Sequence, residues 1–195
     1  MRDDDLGHSL VTIARSGIGA ELGMRCDMAP DAMLVHPALA SPGATFVTLF
    51  RHGMLRGCIG TLEARRPLGA DVRANAIAAA FADPRFPRLG ADEFADTSVE
   101  VSLLSAPEPV TARDERSLLD RLRPGIDGVV IEHAGKRATF LPQVWESLPE
   151  PADFLAGLKR KAALPSDFWS PSVKVSRYGV TKWRESDLRP AEAAS

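Results

Sequence analysis

The sequence predicts an α+β protein with mainly antiparallel sheet, and three observations carry that prediction. Some segments repeat apolar residues with the helical period, whereas others alternate them. The alternating segments come in pairs joined by short polar turns, at 46–61 and 129–141. Helices and hairpins are interspersed, without the regular strand–helix alternation that builds a parallel sheet. At 195 residues the chain can bury a proper core, as one domain or as one domain with a smaller lobe.

Residues 4–22 predict a first helix, because Leu6, Leu10, Ile13, Ala14, Ile18 and Leu22 recur at three- and four-residue intervals. Gly17, Gly19 and Gly23 weaken its second half. A long irregular connection follows from Met24 to Gly43, carrying Pro30, Pro37 and Pro42, with one helical turn expected at Asp31 to Leu34. The stretch Phe46 to Thr61 then reads as two strands around the turn Arg51-His52-Gly53. Pro67 suits the first turn of a helix running to about Ala82, where the lack of an N–H costs nothing. Leu68, Val72, Ala76 and Ala79 form its stripe, and Asp83-Pro84 stops it.

Ala91 to Phe94 reads as a short helix, and Ser98 to Leu104 is the cleanest strand in the chain. Glu115 to Leu122 predicts a helix, and Pro124 to Gly128 is turn chemistry. Val129 to Glu132 and Arg137 to Leu141 pair around Ala134-Gly135. Pro142 opens a short helix through Trp145. Asp153 to Ala163 is amphipathic, with Lys159, Arg160 and Lys161 at the end where cations suit the helix dipole. Val173 to Val180 is a last strand, and a frayed tail is expected from Glu185 onward.

Composition narrows the function classes. Hydrophobic residues are 45% and charged residues 26%, ordinary values for a globular protein. A net charge of −2 leaves no basic footprint, so nucleic acid is a poor partner. The start MRDDDLGHSL lacks an apolar signal core, and no stretch reaches the ~20 apolar residues of a membrane span. Cys26 and Cys58 make no disulfide framework, although one bridge between them is compatible with the sequence. A reduced, cytoplasmic protein is the expectation. His8, His36, His52 and His133 show no metal-binding spacing, and neither cysteine belongs to a C-x-x-C pair, so no zinc site is expected.

The densest run of unusual choices is Leu55-Arg56-Gly57-Cys58-Ile59-Gly60. Strict alternation puts Arg56 and Cys58 on one face, about 6–7 Å apart. At that range a guanidinium favours the thiolate. Cys58 is then a nucleophile or ligand contact and Arg56 an anion clamp. Equally, Cys58 is a small buried hydrophobe and Arg56 pairs with a carboxylate, Glu100 or Asp83. Glu100 reads as a general base, as a partner of Arg56, or as an ordinary charge on a solvated face. Gly57 and Gly60 let backbone or ligand approach the strand. Arg85 lines a cleft or caps carbonyls, and Phe86 lines it too or plugs the core. Lys161 binds an anion or is a solvated helix end. Trp145, Trp169 and Trp183 read as packing anchors.

LRGCIG at 55–60, DPRF at 83–86, VEVSLLS at 99–105, GIDGVVIEHAGKRATFLPQV at 125–144 and FLAGLKRKAALP at 154–165 occur in this order. Together they closely resemble the AMMECR1 domain family over roughly residues 10–180. The resemblance implies a larger sheet-containing lobe, a smaller α/β lobe and a cleft between them beside the hexapeptide. It does not imply a settled activity. Bacterial and archaeal members are called AmmeMemoRadiSam system protein A, after gene neighbours encoding a Memo-like protein, similar to class III extradiol dioxygenases, and a radical SAM protein. A shared pathway with these two partners is implied. Members often show Leu-Cys-Arg-Lys-Ala-Gly-Leu where this chain has Leu158-Lys159-Arg160-Lys161-Ala162-Ala163-Leu164, so a second thiol there is absent.

Two function classes follow. One is a cofactor-free enzyme or enzyme component for a small anionic substrate, with Cys58, Arg56 and Glu100 catalytic and Gly57, Gly60, Asp83, Arg85 and Lys161 binding. The other is a non-catalytic binding or scaffold module that presents its groove to the Memo-like or radical SAM protein.

Overall fold

The computed structural model describes residues 3–24 and 36–188, so the expectations for Cys26 and for a turn at 31–34 lie outside the described residues. The chain divides into two compact units, Met1–Leu104 with Thr181–Ser195, and Ser105–Val180. The strand registers described are antiparallel, as the paired alternating segments predict.

The first unit opens with α1 (Asp3–Glu21), which keeps Gly17 and Gly19 inside the helix. A 3₁₀ turn at Pro37–Ala40 leads into β1 (Pro42–Arg51) and β2 (Met54–Gly60). Their connection is a two-residue turn with φ of 50° at His52 and 76° at Gly53. Two left-handed residues in succession match the twist of the flanking strands, which is why glycine stands second. β3 (Arg66–Pro67) pairs with the start of β1 and delivers the chain into α2 (Leu68–Phe81). After α3 (Ala91–Phe94) comes β4 (Thr97–Leu104).

The unit closes with β9 (Val180–Arg184) and α6 (Glu185–Leu188), where a single last strand and the start of a frayed tail were expected; the rest of that tail lies outside the described residues. The sheet runs β2-β1-β4-β9, with β3 beside β1. One face carries Val47, Leu49, Val99 and Val101, packed with Leu10, Ile18, Val72 and Ala76 of α1 and α2. Burying such side chains is worth about 1.5–3 kcal/mol each.

The second unit contains β5 (Glu108–Pro109), α4 (Glu115–Leu119), β6 (Gly128–His133), β7 (Lys136–Phe140), a 3₁₀ turn at Pro142–Glu146, α5 (Pro151–Lys161) and β8 (Lys174–Tyr178). Its sheet runs β5-β8-β6-β7. Trp145 stacks on Phe154 at 3.7 Å and donates its indole N–H to the Asp127 carbonyl at 2.7 Å. Trp169 packs against the same core, whereas Trp183 belongs to the first unit's core. Lys159, expected in the solvated cationic cluster, is 1% exposed. The turn of α5 that ends in Arg160 and Lys161 points it inward, where Glu115 accepts from it at 2.8 Å and the Ser166 carbonyl at 3.1 Å.

The expected strand from Val173 to Val180 is two strands in two sheets, β8 and β9, separated by Gly179. Apolar alternation cannot tell this break from a continuous strand, because each half keeps its own period.

Candidate functional site

The hexapeptide lies on β2, the terminal strand of the first sheet. Its register corrects the shared face of Arg56 and Cys58. Leu49 faces Gly57 and Phe50 faces Leu55, so Arg56 has no partner and forms a bulge. A bulge inserts one residue and re-aims the side chains around it. Leu55 and Cys58 therefore lie with Phe50 and Thr48 on the outer face, the one turned away from α1 and α2. Arg56 turns instead to the 84–93 segment. It donates to both carboxylate oxygens of Glu93 at 3.1 and 2.8 Å, to the Pro87 carbonyl at 3.0 Å and to the Arg88 carbonyl at 3.4 Å. The Arg56 guanidinium, with help from the Gly90 N–H, holds the Glu93 carboxyl down at about 2. The partner of this buried arginine is thus neither Glu100 nor Asp83.

The hexapeptide glycines serve the chain's own packing. A Cβ at Gly57 would stand 2.2 Å from the Ala79 carbonyl oxygen, so its absence lets α2 approach the strand. Gly60 lies under the Phe46 ring, 2.3 Å from where its Cβ would be.

Asp83 and Arg85 meet Cys58 from the open side of the sheet. The Cys58 N–H donates to Asp83 Oδ2 at 2.9 Å, and Arg85 donates to the Cys58 carbonyl at 3.3 Å. Arg85 also grips Asp83 with two side-chain bonds, at 3.0 and 2.7 Å. That grip, reinforced by the backbone N–H groups of Cys58 and Arg85, outweighs burial and holds the Asp83 carboxyl well below the usual carboxylate range. In return Asp83, and to a lesser degree the Cys58 side chain, raises the Arg85 guanidinium. Phe86 is half-buried beneath the Arg85 guanidinium, 5.4 Å from ring centre to cation, and is not part of the buried core cluster.

Cys58 carries a free, half-buried thiol. Its sulfur receives the Thr48 hydroxyl at 3.3 Å. Thr48 stands opposite Cys58 on one side and opposite Glu100 on the other, so thiol, hydroxyl and carboxylate form one row across three strands. Adjacent strands are about 4.8 Å apart, which puts Cys58 and Glu100 about 10 Å from each other. Glu100 is 5% exposed, and its carboxylate takes Arg184 at 2.7 Å and Lys182 at 3.7 Å from β9. Glu100 is thus neither a solvated charge nor the partner of Arg56. Its carboxylate raises the Arg184 guanidinium. Phe46 and Phe50, two residues either side of Thr48 on β1, bracket the polar row along the strand.

Lys161 lies in the second unit, donating to the Thr139 carbonyl at 3.0 Å and passing over the Phe140 ring.

Thr48, Glu93, Lys182 and Arg184 escaped sequence reasoning. Glu93 had a usable signal, because it stands three residues after Gly90 at a helix start and accepts the Gly90 N–H at 3.0 Å. A second polar group also went unread. Asp71, 1% exposed, accepts from the Thr45 N–H and hydroxyl, the Thr61 hydroxyl, Arg66 and Asn75 at 2.7–3.0 Å. With every lone-pair direction occupied, this group ties β1, β3 and α2 together. Among the described residues, no cluster of three His, Cys, Asp or Glu could hold a metal ion, and no helix is long and apolar enough to cross a membrane.

The AMMECR1 family model matches residues 11–183. A protein of Methanothermobacter thermautotrophicus is 37% identical over 93% of this chain and 95% of its own length. The Saccharolobus solfataricus protein SSO0193 is 36% identical, covering 94% of this chain and 83% of its own. The crystal structure of the uncharacterised protein PH0010 from Pyrococcus horikoshii superposes with a TM-score of 0.76 at 32% identity, over 95% of this chain and 93% of that one. It has the same α+β fold.

Proposed function

The chain belongs to the AMMECR1 family, and on that footing we propose that it is a binding component for a small anionic ligand, held on the outer face of its first sheet. In this reading it works in a pathway with a Memo-like protein and a radical SAM protein and presents the ligand to one of them. The supporting observation is the row Cys58, Thr48 and Glu100, closed on the β9 side by Lys182 and Arg184. Two cations meet one carboxylate there, and Arg184, with a side chain 63% exposed, spends its Nε on Glu100. Its planar fork suits a carboxylate or phosphate. The bracketing Phe46 and Phe50 offer apolar surface to the rest of such a ligand.

The test is amide chemical-shift mapping during titration with small carboxylates and with inorganic phosphate. The largest shifts belong at Thr48, Cys58, Glu100, Lys182 and Arg184. Shifts confined to other surfaces, or none at millimolar ligand, reject the reading. Co-expression with the two partner proteins supplies the second arm, where co-elution of one of them is the outcome expected.

One observation favours thiol chemistry as a second reading: Arg85 donates to the Cys58 carbonyl at 3.3 Å, which brings its guanidinium to that residue. Arg85 would then supply the positive charge that Arg56, committed to Glu93, does not. A Cys58→Ala protein that fully supports the pathway in cells eliminates this reading. An isolated wild-type protein that turns over a metabolite eliminates the binding-only one.

A further inference from the structure

β2 ends its sheet, and a terminal strand offers unpaired N–H and C=O groups to any other strand. In antiparallel pairing, a residue whose N–H and C=O both point away from its inner neighbour exchanges both bonds with an added strand. Cys58 is such a residue, and both of its groups are taken by side chains. Asp83 accepts the N–H at 2.9 Å and Arg85 donates to the carbonyl at 3.3 Å. The pair holds its own geometry: the Arg85 N–H and Nε both donate to Asp83 Oδ1 at 3.0 Å, and its terminal nitrogen donates to Oδ2 at 2.7 Å. One acceptor and one donor thus stand where a neighbouring strand would place its carbonyl and its N–H.

The preceding half of the strand has the makings of a pairing surface. Met54 is 74% exposed and Leu55 42% exposed. The bulge at Arg56 bends the strand between these residues and Cys58. We propose that Asp83 and Arg85 are an edge guard, closing β2 against antiparallel addition of the same strand from a second copy of this chain. The guard is independent of the ligand reading above, since it concerns the backbone of Cys58 and the rim of the sheet. It also accounts for the path of the DPRF segment. After α2 stops at Asp83-Pro84, the next residues return to the strand edge and cover it.

The full-length chain and its Arg85→Ala and Asp83→Asn/Arg85→Ala variants test this by light scattering after size exclusion and by amide hydrogen exchange. Arg85 is exposed, so the single variant keeps the core intact. Exchange at the Cys58 amide, read at dilutions where the double variant is monomeric, should quicken at least tenfold. The variants should form a concentration-dependent dimer that the wild-type chain does not form. Adding Leu55→Lys should restore the monomer, because a charge on that strand blocks edge pairing. Variants that remain monomeric at every concentration overturn the proposal, as does a Cys58 amide that in the dilute monomeric variant stays as slow as in the wild type. A wild-type chain already paired through β2, or a dimer indifferent to Leu55→Lys, overturns it equally.

Discussion

Arg56 shows how much one inserted residue changes. By sequence it belongs beside Cys58, because side chains on a regular strand alternate. The bulge breaks that count and sends the guanidinium to Glu93 and two carbonyls. Two predictions belong at this scale. Gly57→Ala should destabilise the protein by about 1–3 kcal/mol in urea unfolding, since the new methyl meets backbone of α2 and not a movable side chain. Glu93 is ionised down to about 2, against 4.5 ordinarily. A carboxyl with a lowered folded value adds stability above its unfolded value and loses it as pH falls toward the folded one. Wild-type stability should therefore decline between about pH 4.5 and 2 with a steeper slope than that of Glu93→Gln. Equal slopes in urea titrations across that window refute the assignment.

At the scale of elements, the helices and hairpins were legible wherever a periodic pattern met strong punctuation. Leu68, Val72, Ala76 and Ala79 are all buried in α2, between Pro67 and Asp83-Pro84. Which polar residues turn inward was not legible. Lys159 reads as one of three solvated cations on α5 yet is buried against α4. Its partner Glu115 keeps 32% of its side-chain surface exposed, and this asymmetry sets a prediction. Removing the glutamate strands a buried cation, which costs about 3–5 kcal/mol, whereas removing the lysine leaves a carboxylate that water still reaches. Glu115→Ala should therefore unfold at clearly lower urea than Lys159→Met. The reverse order would show that the lysine's packing, not its charge, holds α5 in place.

Across the whole molecule, the chain leaves the first unit after β4, builds the second, and returns with β9 and α6. The return matters physically. Trp183 packs against the first core at Gly7, and Glu185 accepts the Val99 N–H at 3.2 Å. Truncation after Gly179 removes these contacts together with Lys182 and Arg184. The expected outcome is accelerated amide exchange across β4 and α1, with β6 and β7 remaining protected. Uniform loss of protection in both units would show that they fold as one.

The family, the α+β class, the antiparallel pairing and the placement of most elements could be read from the order of residues alone. These rest on local periodicity, on proline and glycine punctuation and on motif order, all written in consecutive residues. Three-dimensional packing was needed for the bulge at Arg56, its pairing with Glu93, the edge position of Cys58 between Asp83 and Arg85, and the arrival of Lys182 and Arg184 at Glu100. Each pairing joins residues 25–84 positions apart. Partners at such separations are chosen by register and packing, and no local pattern records that choice.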